Sequence, residues 1–163
     1  MISFTNWKEF KISDIFEKKS VRKYSSTPEE NGDIPFISST SLNNGVSTYS
    51  NECSFDGKCI TVSTNGGCFD CFYHDGKIGL SNDVEILINS NLNESNALFI
   101  CTILNKEKFK WNYGRKPKNN KVFETVVRLP NKNGKPDWKY MAEFIDKIEE
   151  RERERAAKLL KIH

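Results

Sequence analysis

The chain has 163 residues, 25 Lys+Arg against 22 Asp+Glu (net +3), and 37% hydrophobic content including 12% aromatics. Length and composition together fit one domain with an appendage and exclude a disordered solvating polymer. No apolar run approaches the roughly 20 residues that span a bilayer, Met1–Trp7 has no secretory signal pattern, and five cysteines predict free thiols in a reducing cytoplasm.

Trp7 to Phe16 (WKEFKISDIF) holds apolar residues at 7, 10, 12, 15 and 16, a pattern that fits a strand or a short helix. Residues 17–33 are polar and read as a loop. Short β-branched and aromatic runs follow: Ile34–Ile37, Cys59–Ser63, Cys68–Tyr73 and Val84–Ile88, with His74-Asp75-Gly76-Lys77 as a tight-turn signal between the last two. Ala97–Leu104 is nearly continuously apolar and suits a buried helix. Val122–Leu129 reads as a last strand, closed by Pro130 and the turn Asn131–Gly134. Then Pro136-Asp137-Trp138 opens a helix, with Asp137 as N-cap, and no Gly or Pro interrupts it up to His163. The expected fold is α+β: a mixed α/β domain with a twisted sheet over residues 1–134, and one long helix over 136–163.

A helix of about 26 residues would be a rod of roughly 39 Å. Trp138, Met141, Ile145, Ile148, Glu152, Arg155, Leu159 and Ile162 follow alternating spacings of three and four, the pattern of a coiled-coil seam with one polar layer. The domain offers too little surface to cover such a rod, so a second helix is the expected partner. Antiparallel pairing of two copies about a point between 152 and 155 sets each Glu152 opposite the partner's Arg155. The competing reading is a solvated stripe, because Glu149–Arg155 (EERERER) is charged on every face.

The net charge conceals an uneven distribution. Residues 1–105 carry 8 basic and 13 acidic side chains (−5), residues 106–135 carry 10 and 2 (+8), and residues 136–163 carry 7 of each. A concentrated basic segment attracts a polyanion in a way the average hides. Its centre, Trp111–Lys121 (WNYGRKPKNNK), interleaves Trp111 and Tyr113 with Arg115, Lys116, Lys118 and Lys121 and the amides Asn112, Asn119 and Asn120. Cations neutralise phosphates, Asn matches an adenine edge and Arg a guanine edge. Two polar clusters stand at strand ends: Ser38–Gly45, with Ser39, Thr40, Asn43 and Asn44, and Ser63–Gly67, with Thr64 and Asn65. Each alone is an ordinary turn. Three such loops brought together would form a surface suited to double-stranded DNA, to which Tyr73 and Tyr113 would add stacking or hydrogen bonding.

Catalytic and metal chemistry are not indicated. Cys53, Cys59, Cys68 and Cys71 supply four thiols, but not as the two close pairs of a zinc ribbon, so core or surface thiols are the preferred reading. The two histidines, His74 and His163, have no evident nucleophile partner, and no phosphate-cradling or cofactor-binding glycine loop occurs. No metal, cofactor or catalytic residue is assigned.

In order, Trp7 with Phe10–Phe16, Gly32–Ile37, Asn44-Gly45-Val46, Ile60–Gly67, Val127–Pro130 and Pro136-Asp137-Trp138 before the long helix resemble a target recognition domain of Type I restriction–modification specificity subunits. The resemblance covers nearly the whole chain; each piece is weakly specific, and their order carries it. It implies a non-catalytic, cytoplasmic DNA-recognition subunit that directs a DNA adenine methyltransferase (M) subunit and a restriction (R) subunit. A full subunit of that family carries two such domains, each followed by a helix, and the helices pair antiparallel. This sequence has one of each, so the resemblance implies a half-subunit that forms a homodimer through residues 138–162. The alternative is a protein-interaction module that docks on a methyltransferase complex without reading DNA.

Overall fold

The architecture follows from two periodicities, 2 in the central strands and 3.6 in the helices, as seen in a computed structural model that describes residues 6–118 and 120–160. Strand β1 (Trp7–Lys11) leads directly into a single helical turn, α1 (Ile12–Ile15), so both readings of that stretch apply in succession. The chain continues through β2 (Ile34–Ile37), β3 (Val46–Ser50), β4 (Phe55–Ser63), β5 (Cys71–Leu80) and β6 (Val84–Leu87) to helix α2 (Glu94–Lys106). A turn of helix, α3 (Lys121–Glu124), precedes β7 (Val126–Lys132), β8 (Lys135–Pro136) and helix α4 (Trp138–Leu160).

Strands β3-β2-β5-β4-β6 form one mixed sheet, in which β2 and β5 are parallel and the other pairs antiparallel. Strands β1, β7 and β8 form a second, antiparallel sheet. Side chains alternate across β4: Ile60 and Val62 enter the larger core with α2 and β7, whereas Cys59 enters a smaller one with Ile78, Leu80, Val84 and Ile86. Burial on both faces from Cys59 to Ser63 explains why that half of β4 carries no charged residue.

Helix α2 lies between β5 and α4. Its Asn93 cap accepts from the Asn96 backbone N–H (2.9 Å) and the Asn96 side chain accepts from the Asn93 N–H (2.9 Å), a reciprocal capping box. Ala97, Ile100, Cys101 and Leu104, spaced for one helix face, are buried in the larger core.

Three sequence expectations need correction. His74–Lys77 is no turn: β5 runs through it, pairing Gly76 with Gly57 of β4, and both glycines adopt positive φ (103° and 136°). The reversal lies instead at residues 64–70, because Ile78 and Leu80 continue the apolar alternation and hold β5 in the sheet. Val122 and Phe123 belong to a helical turn, and the last strand starts at Val126. Pro130 does not end that strand, since the backbone bond there is made by its neighbour, Asn131 N–H to Asn6 O (2.9 Å). Strand β3 gave no apolar signal because it is an edge strand in which Ser47 and Thr48 separate Val46 from the exposed Tyr49, and Ser50 follows.

Helix α4 starts as expected, with the Asp137 carboxylate accepting from the Tyr140 N–H (3.0 Å). Its first half does not leave the domain. Met141 is fully buried in the larger core, and Trp138, Phe144 and Ile145 pack against the same cluster. Trp138 meets Phe16 edge-on (6.1 Å, 89°) and Phe144 meets Phe99 likewise (5.6 Å, 89°). The stripe expected to seek a second chain is covered, over its first turns, by α2. Residues 150–160 are exposed throughout. No helix among the described residues is long and apolar enough to cross a membrane.

Candidate nucleic-acid interface

The ends of β2, β4 and β5 carry the polar loops, and backbone bonds draw those loops together. Ser81 N–H donates to Ile37 O (2.9 Å), Thr64 N–H to Asp83 O (2.8 Å) and Gly67 N–H to Ser39 O (3.2 Å). The approach is close enough that glycine is required at 66: it has φ +42°, and a Cβ there would lie 2.4 Å from the Ser39 carbonyl oxygen. Loops 38–45 and 64–67 are therefore one surface, joined through the β5–β6 turn.

Asp83 in that turn is the hub. Its carbonyl accepts from the Ser39 hydroxyl (2.7 Å) as well as from Thr64. Its carboxylate accepts from the Asn65 amide (3.0 Å) and pairs with Lys118 (2.9 Å), which ties the basic loop to the other two. Burial pushes the Asp83 carboxyl up, but the Asn65 and Lys118 hydrogen bonds, with the charges of Lys118 and Lys116, outweigh it and hold the group below its usual range. Asp70 is a second junction, bonded to Ser41 and to Lys108 (2.5 Å). Behind it the buried Phe69 ring stacks on Trp111 (5.7 Å, 15°), and the Arg115 guanidinium lies over the Trp111 indole (5.5 Å). Neither acid is among the residues the sequence marks for DNA contact, because its partners are remote in sequence: Ser39, Asn65 and Lys118 for Asp83, Ser41 and Lys108 for Asp70.

The candidate residues separate into groups. The side chains of Ser39 and Asn65 are committed to internal hydrogen bonds, and Thr64 is buried with its backbone N–H on Asp83, so all three shape the surface. Thr40 accepts from the Leu42 N–H (3.2 Å), and Asn43 and Asn44 stand exposed in a turn with positive φ (47° and 52°). Tyr113 is 80% exposed with Lys116 over its ring (4.1 Å). Arg115 and Lys121 help line a cavity of about 320 Å³ with Trp111. Among the described residues of the basic loop, Arg115, Lys116 and Lys121 form no ion pair, whereas Lys118 does. The Asn120 side chain accepts from Lys18, and Asn119 lies outside the described residues.

Tyr73 lies off the Asp83 hub, in a cavity beside α2 that it shares with Asn44 of loop 38–45 and with Glu94, Leu98 and Thr102; burial first, then the Asp75 charge, pushes its hydroxyl to about 12. Cys59, Cys68, Cys71 and Cys101 are buried core thiols, and burial drives Cys59 and Cys101 to about 12. Of the helix seam, Met141 is inside the domain, Arg155 pairs with Glu152 of its own helix (3.1 Å), Leu159 is 66% exposed and Ile162 lies outside the described residues.

An α+β domain with strand-end loops gathered beside a basic segment, and a C-terminal helix rooted in the core with an exposed second half, is the class of protein that comparison with known proteins then specifies. Residues 5–159 match the Type I restriction modification DNA specificity domain family. The specificity subunit S.BcgI of a Type II restriction enzyme from Heyndrickxia coagulans is 34% identical over 149 residues, covering 88% of this chain and 44% of that protein. The Type I restriction enzyme MpnII specificity subunit of Mycoplasma pneumoniae is 31% identical over 124 residues, 74% of this chain and 37% of that one. Among solved structures, the S subunit of a Type I restriction–modification system from M. genitalium superposes with a TM-score of 0.61 at 14% identity, over 97% of this chain and 44% of that chain. The HsdS subunit of Thermoanaerobacter tengcongensis gives 0.57 at 9% identity, over 90% of this chain and 38% of that one. The chain belongs to the Type I restriction–modification DNA specificity domain family, and it spans less than half the length of these relatives.

Proposed function

We propose that this chain reads a short DNA half-site with the surface built from loops 38–45, 64–67 and 111–121, and so directs partner methyltransferase and restriction subunits. The supporting observation is the convergence at Asp83. Three loops distant in sequence share one hydrogen-bonded hub, and Arg115, Lys116 and Lys121, which form no ion pair among the described residues, lie on the loop tied to it. Phosphate contacts by these cations fix the domain on the duplex, while Asn43 and Asn44 supply exposed amides for base edges. In this reading the chain carries no chemistry itself.

The exposed half of α4 serves as the assembly arm. Two copies pair antiparallel through residues 148–160, with Leu159 in the seam and Glu152 and Arg155 exchanging their internal pair for an inter-chain one. That exchange sets register more than it adds stability.

The deciding experiment is salt-dependent binding to duplex DNA. Replacing Arg115, Lys116 and Lys121 by alanine should flatten the slope of log K against log salt by about 2 to 3, since each phosphate contact contributes about 0.9. An unchanged slope refutes the basic-loop reading and favours a module that docks on protein alone. Sedimentation of the wild type should show a dimer that Leu159→Asp dissociates.

A further inference from the structure

The ion pair between Asp83 and Lys118 has an asymmetry that bears on how the surface rejects unwanted DNA. The acid is fixed. Its own carbonyl is held by the Ser39 hydroxyl (2.7 Å) and the Thr64 N–H (2.8 Å), and its carboxylate by the Asn65 amide (3.0 Å). The base is not fixed in that way, since Lys118 reaches Asp83 by a long side chain from an exposed position, just after the buried Pro117. Both side chains are part-exposed, Lys118 at 47% and Asp83 at 36%, so water and salt screen the pair and a competing anion can displace it. When Lys118 leaves, Asp83 keeps the Asn65 hydrogen bond and meets water, so no charge is stranded. The neighbouring acid on β6, Glu85, is already paired with Lys23 (3.0 Å) and does not compete for Lys118.

We propose that Asp83 is a specificity-determining latch: its carboxylate occupies Lys118 in the free protein and releases it to a DNA phosphate only when a duplex settles on the surface. The inference rests on the DNA-reading function proposed above. A duplex that merely approaches meets a loop with one cation neutralised and a fixed negative charge at its hub. A duplex that docks displaces the carboxylate and gains the cation. A duplex that does not displace the carboxylate forgoes the Lys118 contact, whereas one that docks gains it, and that difference between placements is what discriminates.

A double-mutant cycle against a short random-sequence duplex at low salt tests it. Asp83→Asn keeps an acceptor for Asn65 and should raise affinity by about 2- to 5-fold, the range set by releasing one exposed ion pair. Lys118→Met should erase that gain, leaving the double variant equal to Lys118→Met alone. A gain that persists without Lys118 would mean that removing any negative charge suffices and would overturn the latch, as would no gain at all. Asp83→Ser replaces Asp83→Asn if thermal unfolding shows the latter misfolded. Wild-type protein without salt-dependent binding would sink the DNA-reading function as well; wild-type binding with an inert Asp83→Asn sinks the latch alone.

Discussion

Replacing Met141 by alanine tests whether α4 begins as core or as an arm. Met141 is fully buried, in a cluster with Ile12, Phe99, Leu104, Val127 and Leu129. Truncation removes its buried side chain and leaves a cavity that flanking rings cannot readily fill, because Trp138 and Phe144 are each held edge-on by Phe16 and Phe99. Such changes cost about 2–4 kcal/mol, which lowers the melting temperature of a chain this size by about 5–15 °C. Urea unfolding followed by tryptophan fluorescence reads it directly, through Trp138 and its neighbours. The decisive feature is concentration: loss from a monomer core is independent of protein concentration, whereas loss from an inter-chain seam shrinks as concentration rises. Leu159→Ala, at a site 66% exposed, should change monomer stability by no more than about 0.5 kcal/mol. A Met141→Ala loss below about 1 kcal/mol, or one that protein concentration restores, would refute the assignment of this half of α4 to the domain.

Two further outcomes follow from the site and its scaffold. Gly66→Ala places a Cβ 2.4 Å from the Ser39 carbonyl, so loops 38–45 and 64–67 must separate; DNA affinity should fall while the far-UV spectrum is kept, and unchanged affinity would show that the two loops need not be joined. His74, hydrogen-bonded to Thr61 (3.1 Å), is lowered by burial from 6.5 to about 4, so the unfolded chain takes up its proton first as pH falls. Its contribution is complete above pH 6.5 and lost as pH falls from there towards 4, up to about 2 kcal/mol between pH 7.5 and 5; His74→Gln should show a flatter dependence of urea midpoint on pH across that window.

What was legible in the sequence was periodic and local. The strands Ile34–Ile37 and Val84–Leu87, the buried helix around Ala97–Leu104 and the Asp137 cap announce themselves through neighbours a few positions away. The stripe at 138, 141, 145 and 148 was legible too, but an amphipathic stripe states only that something covers it. Whether α2 or a second chain does so depends on Phe99 and Trp7, which come to it through the fold. Glu152 and Arg155 show the same ambiguity, since a spacing of three serves a pair within one helix as well as a layer between two. The loops were identifiable by composition, yet what unites them was not. Asp83 binds Ser39, Asn65 and Lys118 from three separate stretches of chain, and no local pattern singles it out from other acids in the acidic body.

The position of α2 joins these two halves of the molecule mechanically. On one side it covers Met141, Phe144 and Ile145 of α4. At its C-terminal end the Asn105 side chain accepts from the Cys71 N–H (2.9 Å), at the start of β5, and Lys108 just beyond holds Asp70 (2.5 Å), which in turn holds Ser41. The path from the helix arm to the polar loops therefore runs through one 13-residue helix and side-chain bonds at its end. Under the proposed function this matters for reading two half-sites. A domain hinged to its arm would present its loops over a range of angles, whereas α4 rooted in the core by Met141 fixes the direction in which the loops point. Spacing between half-sites is then set by where two arms meet, and orientation by how each arm is rooted. In that reading, charge on the loops supplies attraction to any duplex, and the packing of α2 against α4 supplies the geometry that makes only one placement productive.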